Sequence, residues 1–539
     1  MPGDADRRGP DDASGRDAPS GGRRPTEVGP ITHRTARNVG FATLADLFGK
    51  VGAFVFLVVG ARELSQSAFG AFSYAFALAG LLASILIWGF DDVLIREASV
   101  NPERLPELVA ETYVWRLIVG IPVFVGVGLA GLLGRPSGTS VAALLMVLLA
   151  LFLDTSVRTT TSAAQSLHRL QRVAVAQLVN KILTAVAGVA ALAIGYGLDG
   201  YAGAFLAGSA FGAVAIILAL RPIGVRADFS RMRRASFAAL GRASIPLGLD
   251  TIVAMALFKV DAVILAVYRG NESLAVYSVA YRLLETVLFV AFAVVAATYP
   301  VMSQAETFDR VRHAVERGFT ICAAVYVPFG VAVSLRASGI LETVFGARYA
   351  GPGATPLIWL AFSPLLIAYG NIANISLVAR RRVRGAVTAS IVAMLFNVGL
   401  NLALIPILGP TGAAIATTSA YLFEALILCV LCTRLYGFAR VDRALAESAV
   451  AGGLMALVLV FVHLGTIPDL LIAGAVYALV WLALSRRFAP QNVAVLLSFF
   501  RRGGPTPDDP FTMIAWQAPA DDRPRVLDWR ASDQPRDTG

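Results

Sequence analysis

Lysine is nearly missing from this chain. Among 46 basic residues only Lys50, Lys181 and Lys259 are lysines, and all the others are arginines. Histidine is scarce too: His33, His168, His313 and His463 are scattered, and no H-E-x-x-H, Walker loop or G-x-S-x-G motif occurs. The familiar zinc-peptidase, P-loop and nucleophile-elbow arrangements are therefore excluded. Cysteine occurs three times, at Cys322, Cys429 and Cys432, always within apolar sequence. That excludes a disulfide scaffold. The C-x-x-C pair has no second ligand pair or nearby histidine, so no metal and no cofactor is expected. Charge is thin as well. Charged residues make up 15% of the chain and hydrophobic residues 57%, against about 25% and about 45–50% in a soluble domain. The first thirty-odd residues, rich in Asp, Arg, Gly and Pro, lack any apolar core before Val39, so no cleavable signal peptide is expected.

What remains is apolar sequence in quantity. Stretches of about twenty residues, the length a helix needs to cross a bilayer, recur from Asn38 to Ser485. They predict spans at about 38–61, 69–95, 110–134, 139–163, 173–197, 201–222, 243–268, 273–303, 316–338, 352–379, 384–408, 411–434, 448–465 and 467–485. The expected fold is an all-α polytopic membrane protein of about 14 transmembrane helices. Residues 1–36 and 486–539 read as disordered cytoplasmic tails. The net charge of +10 does not point to nucleic acid, because the arginines fall in short gaps between spans. Alternating from a cytoplasmic N-terminus, about twenty arginines occupy inner loops and about five (Arg62, Arg135, Arg269, Arg336, Arg348) outer ones. This positive-inside pattern predicts a multi-pass plasma-membrane protein with both termini cytoplasmic.

The sequence also repeats itself. A shift of about 205 residues carries Arg37 onto Arg242 and Gly70–Leu78 onto Ala275–Leu283. Two parallel-repeat six-helix lobes follow, over 37–222 and 243–435, with a linker at 223–242 and two further spans within 436–485. Parallel repeats are related by an axis along the membrane normal and enclose a cavity. In the linker, Phe229, Met232, Phe237 and Leu240 alternate with Arg231, Arg233, Arg234 and Arg242. That pattern predicts an amphipathic helix on the anionic inner leaflet. Gly208-Ser-Ala-Phe-Gly212 predicts a close helix contact. Pro122, Pro246, Pro300, Pro328, Pro364 and Pro406 fall in or near spans as candidate bends.

Ionisable groups at membrane depth are the most informative residues. Each costs about 2.5–3.5 kcal/mol on insertion scales, so it needs a partner or a wet cavity. Opposite charges share a helical face in Asp46/Lys50, Asp154/Arg158 and Arg282/Glu285. Lys50, Arg116, Lys181, Lys259 and Arg282 are candidate anion-binding groups. The lysines stand out as compact point charges, although a lysine near a helix end also inserts simply by snorkelling. Asp46, Asp154, Asp261 and Glu285 are candidates for charge balance or ion coupling. Asn180, Asn371, Asn374, Asn397 and Asn401 either bind a hydroxyl-rich ligand or link helices.

Several motifs, each loose, follow one another in a specific order. They begin with Arg37-Asn38, Ala61-Arg62-Glu63-Leu64, Phe69-Gly70-Ala71-Phe72-Ser73 and Trp88-Gly89-Phe90 leading to Ile95-Arg96-Glu97. Val260-Asp261, Tyr277-Ser278-Val279-Ala280-Tyr281-Arg282 and Tyr299-Pro300 come next. Phe345-Gly346 with Tyr349, and Asn397 and Asn401 before Ile405-Pro406, Gly409 and Gly412-Ala413-Ala414, complete the series. Over about residues 37–435 the chain thereby resembles the polysaccharide/oligosaccharide flippase family of the multidrug/oligosaccharidyl-lipid/polysaccharide exporter superfamily. Leu274-Ala275-Val276 departs from it, where the family has glycine before the aromatic residue.

The resemblance implies a central, partly cationic cavity that opens to each leaflet in turn. It implies a polyprenyl-diphosphate-linked oligosaccharide moved from inner to outer leaflet, often coupled to an ion gradient. The intramembrane cations suit the diphosphate and the asparagines suit sugar. Expected partners are this lipid-linked glycan, membrane lipids, and a polysaccharide polymerase or glycosyltransferases. Rival readings are a lipid II flippase of the same superfamily and a drug/cation antiporter, the latter disfavoured by the surplus of intramembrane cations. A membrane glycosyl-transfer enzyme would carry catalytic residues in a large outer loop. The longest here, Ala337 to Gly351, holds only Glu342 and Arg348 as charges.

Overall fold

A computed structural model describes Gly49 and residues 51–167, 170–220, 226–305, 307–380, 382–437 and 441–488. The expected N-terminal tail, the C-terminal tail beyond Phe488, Asp46 and Lys50 lie outside the described residues. Among those described there is no strand. Helix α1 covers 51–63, followed by α2 (Gln66–Ile87), α3 (Phe90–Val100), α4 (Leu105–Leu133), α5 (Val141–Ser166), α6 (Leu170–Ala193) and α7 (Gly197–Leu220). Then come α8 (Arg234–Val287), α9 (Phe289–Gln304), α10 (Phe308–Phe345), α11 (Ala347–Leu360) and α12 (Ser363–Ala379). The chain closes with α13 (Val383–Leu408), α14 (Pro410–Tyr436), α15 (Val441–Phe461) and α16 (Thr466–Phe488).

Among the described residues, eleven helical stretches are long and apolar enough to cross a bilayer. One of them, Leu247–Gln304, has 58 residues, about 87 Å of helix against a hydrocarbon core of about 30 Å. It doubles back at Gly270, whose φ of 80° interrupts α8. Lys259 and Glu285, 26 positions apart, consequently meet at 2.5 Å across the two arms. With both arms, the shorter apolar helix in α15 and the described part of α1, the crossings agree with the roughly 14 expected.

Two predicted spans are broken rather than continuous. The one at 69–95 turns at Trp88 (φ 40°) and Gly89 (φ 66°) between α2 and α3. A Cβ on Gly89 would lie 2.5 Å from that of Leu247, so glycine lets α3 cross the start of α8 closely. The one at 273–303 changes helix at Leu288. The linker also differs from expectation. It is a short turn, Phe229–Arg231, running directly into α8. Phe237 stacks on Trp115 with centroids 4.5 Å apart, the indole N–H donates to the Phe237 carbonyl at 3.0 Å, and Leu240 packs with Phe90 and Val93. Phe237 and Leu240 are therefore covered by α3 and α4, while Phe229, Arg231, Arg233, Arg234 and Arg242 stay exposed.

The five arginines that depart from the positive-inside pattern all reach backbone carbonyls at helix C-termini. Arg62 donates to Thr343 and Val344 at the end of α10, at 2.5 and 2.8 Å. Arg348 returns the favour to Leu64 (2.7 Å) and Arg62 at the end of α1. Arg269 reaches Ile407 in α13 at 2.9 Å, and Arg336 reaches Leu459 and Val462 at the end of α15. Arg135 caps its own helix through Leu132. The last carbonyls of a helix are unpaired and sit at the negative end of its dipole, so a guanidinium there is stabilising.

Helices α6 and α7 meet at the glycine pair picked out from sequence. A Cβ on Gly208 would fall 1.9 Å from the Thr184 hydroxyl, and one on Gly212 would fall 2.4 Å from the Asn180 amide. Gly208→Val should therefore destabilise the protein by about 1–3 kcal/mol, the usual cost of overpacking. The check is the thermal midpoint in detergent; an unchanged midpoint would refute the contact.

Candidate functional site

Helix α2 and the two arms of α8 enclose a cavity with about 330 Å³ of empty space, its open mouth included. Ser73, Phe76 and Ala77 of α2 line one wall, and Ser278, Tyr281 and Arg282 of the second α8 arm line the other. These are the positions that the shift of about 205 residues superimposes. The two aligned segments thus face each other across one space, and Phe258, Lys259 and Asp261 of the first arm close it.

Two cations share a single carboxylate there. Lys259 meets Glu285 at 2.5 Å, and Arg282, one helical turn before Glu285, pairs with its other oxygen. All three side chains are less than a fifth exposed. The Lys259 ammonium also lies over the rings of Phe258, Tyr281 and Phe76, at 4.9, 5.4 and 5.9 Å. The Arg282 guanidinium lies 4.7 Å from the Phe76 centroid. Aromatic faces stabilise cations without neutralising them, so the triad carries one net positive charge. Asp261 points elsewhere, accepting from the hydroxyls of Tyr277 and Thr417 (2.9 Å to the latter) and from the Ala262 N–H.

A second ionic cluster lies nearer the end of the bundle that carries Arg96, Arg104 and Arg242, the basic end. Arg116, 4% exposed, binds both oxygens of buried Asp91 at 2.7 and 2.8 Å and the Thr155 carbonyl. Arg158 reaches the same carboxylate at 3.4 Å. The pairing of Asp154 with Arg158 expected from their spacing does not form. Among the described residues no ion pair joins them, because the break after α2 brings Asp91 to α5 and the tertiary partner displaces the local one. Asp154 instead lies near Ser209 and within electrostatic reach of Lys181. Lys181 packs against Gly49 and against α1 at Gly52.

Half of the chain, residues 35–306, matches a family model described as "Polysaccharide biosynthesis protein". The chain belongs to that family. A second model, MatE, matches residues 246–403. The probable flippase AglR of Haloferax volcanii is 25% identical over 264 residues, which is 46% of this chain and 55% of the relative. The match therefore spans about half the length of that curated relative. Among solved structures, the lipid II flippase MurJ in an inward closed conformation aligns with a TM-score of 0.69 at 16% identity, over 84% of this chain and 99% of that one. An inward-facing multidrug resistance MATE family transporter of the MOP superfamily gives 0.59 at 15%, over 76% and 99%. At such identities the likeness is one of fold.

In this member of the polysaccharide biosynthesis family the asparagines fall apart spatially. Asn180 sits in the α6–α7 seam. Asn401 donates to Asn397 at 2.9 Å, both fully buried in α13. Asn371 and Asn374 are half-buried on α12. Of the cations named from sequence that fall among the described residues, only Lys259 and Arg282 are brought together. Asp91, Tyr277 and Thr417 were not singled out as site residues. A carboxylate inside the predicted span at 69–95 was a readable signal for Asp91, whereas nothing local marks a threonine as the partner of a distant aspartate.

Proposed function

We propose that this protein flips a polyprenyl-diphosphate-linked oligosaccharide from the inner to the outer leaflet by alternating access, for cell-surface polysaccharide export. The observation that carries the reading is the Lys259–Glu285–Arg282 triad, two cations sharing one carboxylate in an aromatic-walled cavity at membrane depth, whose other carboxylate, Asp261, is engaged by Tyr277 and Thr417. A diphosphate entering there gains charge-assisted hydrogen bonds in a medium of low dielectric, where they are strong. Its lipid tail stays in the bilayer. The basic end is read as cytoplasmic, and residues 37–222 and 243–435 as the two lobes that rock about the cavity.

The contacts at the opposite end support a state closed to the outside. Arg62 and Arg348 bridge the two lobes reciprocally, and Gln66 donates to the Glu272 carbonyl at 3.2 Å. The Asn271 amide donates to Thr139 at 3.0 Å. Asp261 is read as the ion-coupling carboxylate, and a polysaccharide polymerase or glycosyltransferases as partners. The fold likeness to MurJ favours lipid II as the second reading, since it presents the same diphosphate chemistry. Deletion followed by mass spectrometry of the lipid-linked intermediates separates the two. Build-up of a repeat unit supports the first reading, build-up of lipid II the second, and build-up of neither refutes flipping.

A further inference from the structure

We propose that the acidic, aromatic segment 508–522 of this chain docks on a basic face of the helix bundle, at the end where α10 begins. The inference goes beyond the flippase reading and does not depend on it.

Several helix ends gather at this face. The Arg380 guanidinium, after α12, donates to the Ala305 carbonyl, after α9, at 2.8 Å. It also lies 5.0 Å from the ring centroid of Phe308, the first residue of α10. The Phe308 ring is 5.8 Å from that of Tyr436, whose hydroxyl ties the end of α14 to the Ser376 carbonyl of α12 at 3.0 Å. Phe308 is nevertheless 52% exposed, and Val383, which opens α13, is 40% exposed. Arg310 lies two positions from Phe308, Arg382 and Arg384 flank Val383, and Arg434 lies two positions from Tyr436. All four are exposed, and among the described residues none of them forms an ion pair. Of the carboxylates nearby, Asp309 is exposed and Glu316 is taken by Arg312 at 3.0 Å. The free cations outnumber the free carboxylate, which leaves a positive field around an apolar centre. Arg382 and Arg384 moreover stand at the positive end of the α13 dipole, where a cation is unfavourable. Folding of that helix does not account for them.

The segment complements this face in both respects. Asp508, Asp509, Asp521 and Asp522 bracket Phe511, Met513, Ile514 and Trp516, with no basic residue between them. An anionic lipid surface attracts basic segments and would repel these aspartates, whereas unpaired arginines around an exposed ring suit the charge and the aromatic groups together. The segment is also within reach. Helix α16 runs antiparallel to α10: a Cβ on Gly339 would fall 2.2 Å from the Thr466 hydroxyl, Arg336 pairs with Asp469 at 2.9 Å, and the Tyr477 hydroxyl donates to the Ala324 carbonyl at 3.0 Å. Phe488 therefore finishes at the end where Phe308 starts. Asp508 lies 20 positions further on, a stretch that can span up to about 70 Å. Such a tether holds the segment at an effective concentration on the order of millimolar, so exposed ion pairs that are weak one by one suffice together.

The test replaces Phe511 of the full chain by the photo-crosslinker p-benzoylphenylalanine. The protein is reconstituted in vesicles of phosphatidylethanolamine and phosphatidylglycerol, and the adducts are mapped by mass spectrometry. Irradiation should join position 511 to residues within 305–312, 380–384 or 432–437 of the same chain. Exchanging Asp508, Asp509, Asp521 and Asp522 for arginine should lower that yield at least about tenfold, with the helical bundle untouched in sequence. The triple variant Arg382→Glu, Arg384→Glu, Arg434→Glu should lower it alike, and combining the two sets should restore it, a rescue that a misfolded bundle would not show. Adducts elsewhere in the chain, between two chains, with lipid alone, or none at all would overturn the docking. Undiminished yield after the aspartate exchange would overturn it as well. None of these outcomes touches the lipid-linked intermediates by which the flippase reading is judged.

Discussion

Lys259→Ala should cut glycan export by about a hundredfold or more at normal protein level, a loss of roughly 2.7 kcal/mol of interaction with the passenger. Without the ammonium, Arg282 still neutralises Glu285, so the fold keeps a closed ion pair but the cavity loses the cation that Arg282 does not replace. Glu285→Ala should behave differently. It leaves Lys259 and Arg282 side by side with no carboxylate between them, and breaking a buried pair in this way costs about 3–5 kcal/mol. Membrane levels of that variant should fall before export can be judged. Quantitative immunoblotting beside an export assay separates the two outcomes. Normal export by the Lys259 variant would remove the triad from the mechanism.

Gly70→Ala should act through packing. A Cβ at Gly70 would fall 1.8 Å from the backbone oxygen of Asn271, where ordinary contact needs about 3.4 Å or more. A backbone carbonyl cannot rotate out of the way as a side chain can, so α2 and the tip of the α8 hairpin must separate. The seam that Arg62, Arg348 and Asn271 hold shut would then stand ajar. With Ser73→Cys as reporter on the cavity wall, an impermeant maleimide added outside intact cells should label the Gly70→Ala protein at least about tenfold faster, the ratio expected if opening costs about 1.4 kcal/mol less. Unchanged labelling together with normal export would mean that this approach is not part of the cycle.

Features set by local rules were legible in the sequence, and features set by distant partners were not. Span lengths follow from solvation alone. The Gly208–Gly212 seam follows from side-chain size at one-turn spacing, and Arg282/Glu285 from helical periodicity. The same periodicity misassigned Arg158, because Asp91, 67 positions away, reaches it first. The linker's apolar stripe was real, but which surface would cover it depended on Trp115, 122 positions from Phe237. The outer arginines looked like departures from a rule until their partners appeared, up to 286 positions distant. No window of sequence contains such a pair.

The facing segments of α2 and α8 occupy equivalent places, yet they are no longer chemically equal. Where one wall has Ala77, the other has Arg282, and Tyr281 stands opposite Phe76. An ancestral twin would have offered its cargo two identical berths and no reason to prefer either. On the flippase reading proposed above, a phosphate held by Lys259 and Arg282 would stay moored to one side of the molecule whichever way the chamber opens. The net direction of travel would then have to come from gradients across the bilayer, with the mooring itself indifferent to direction.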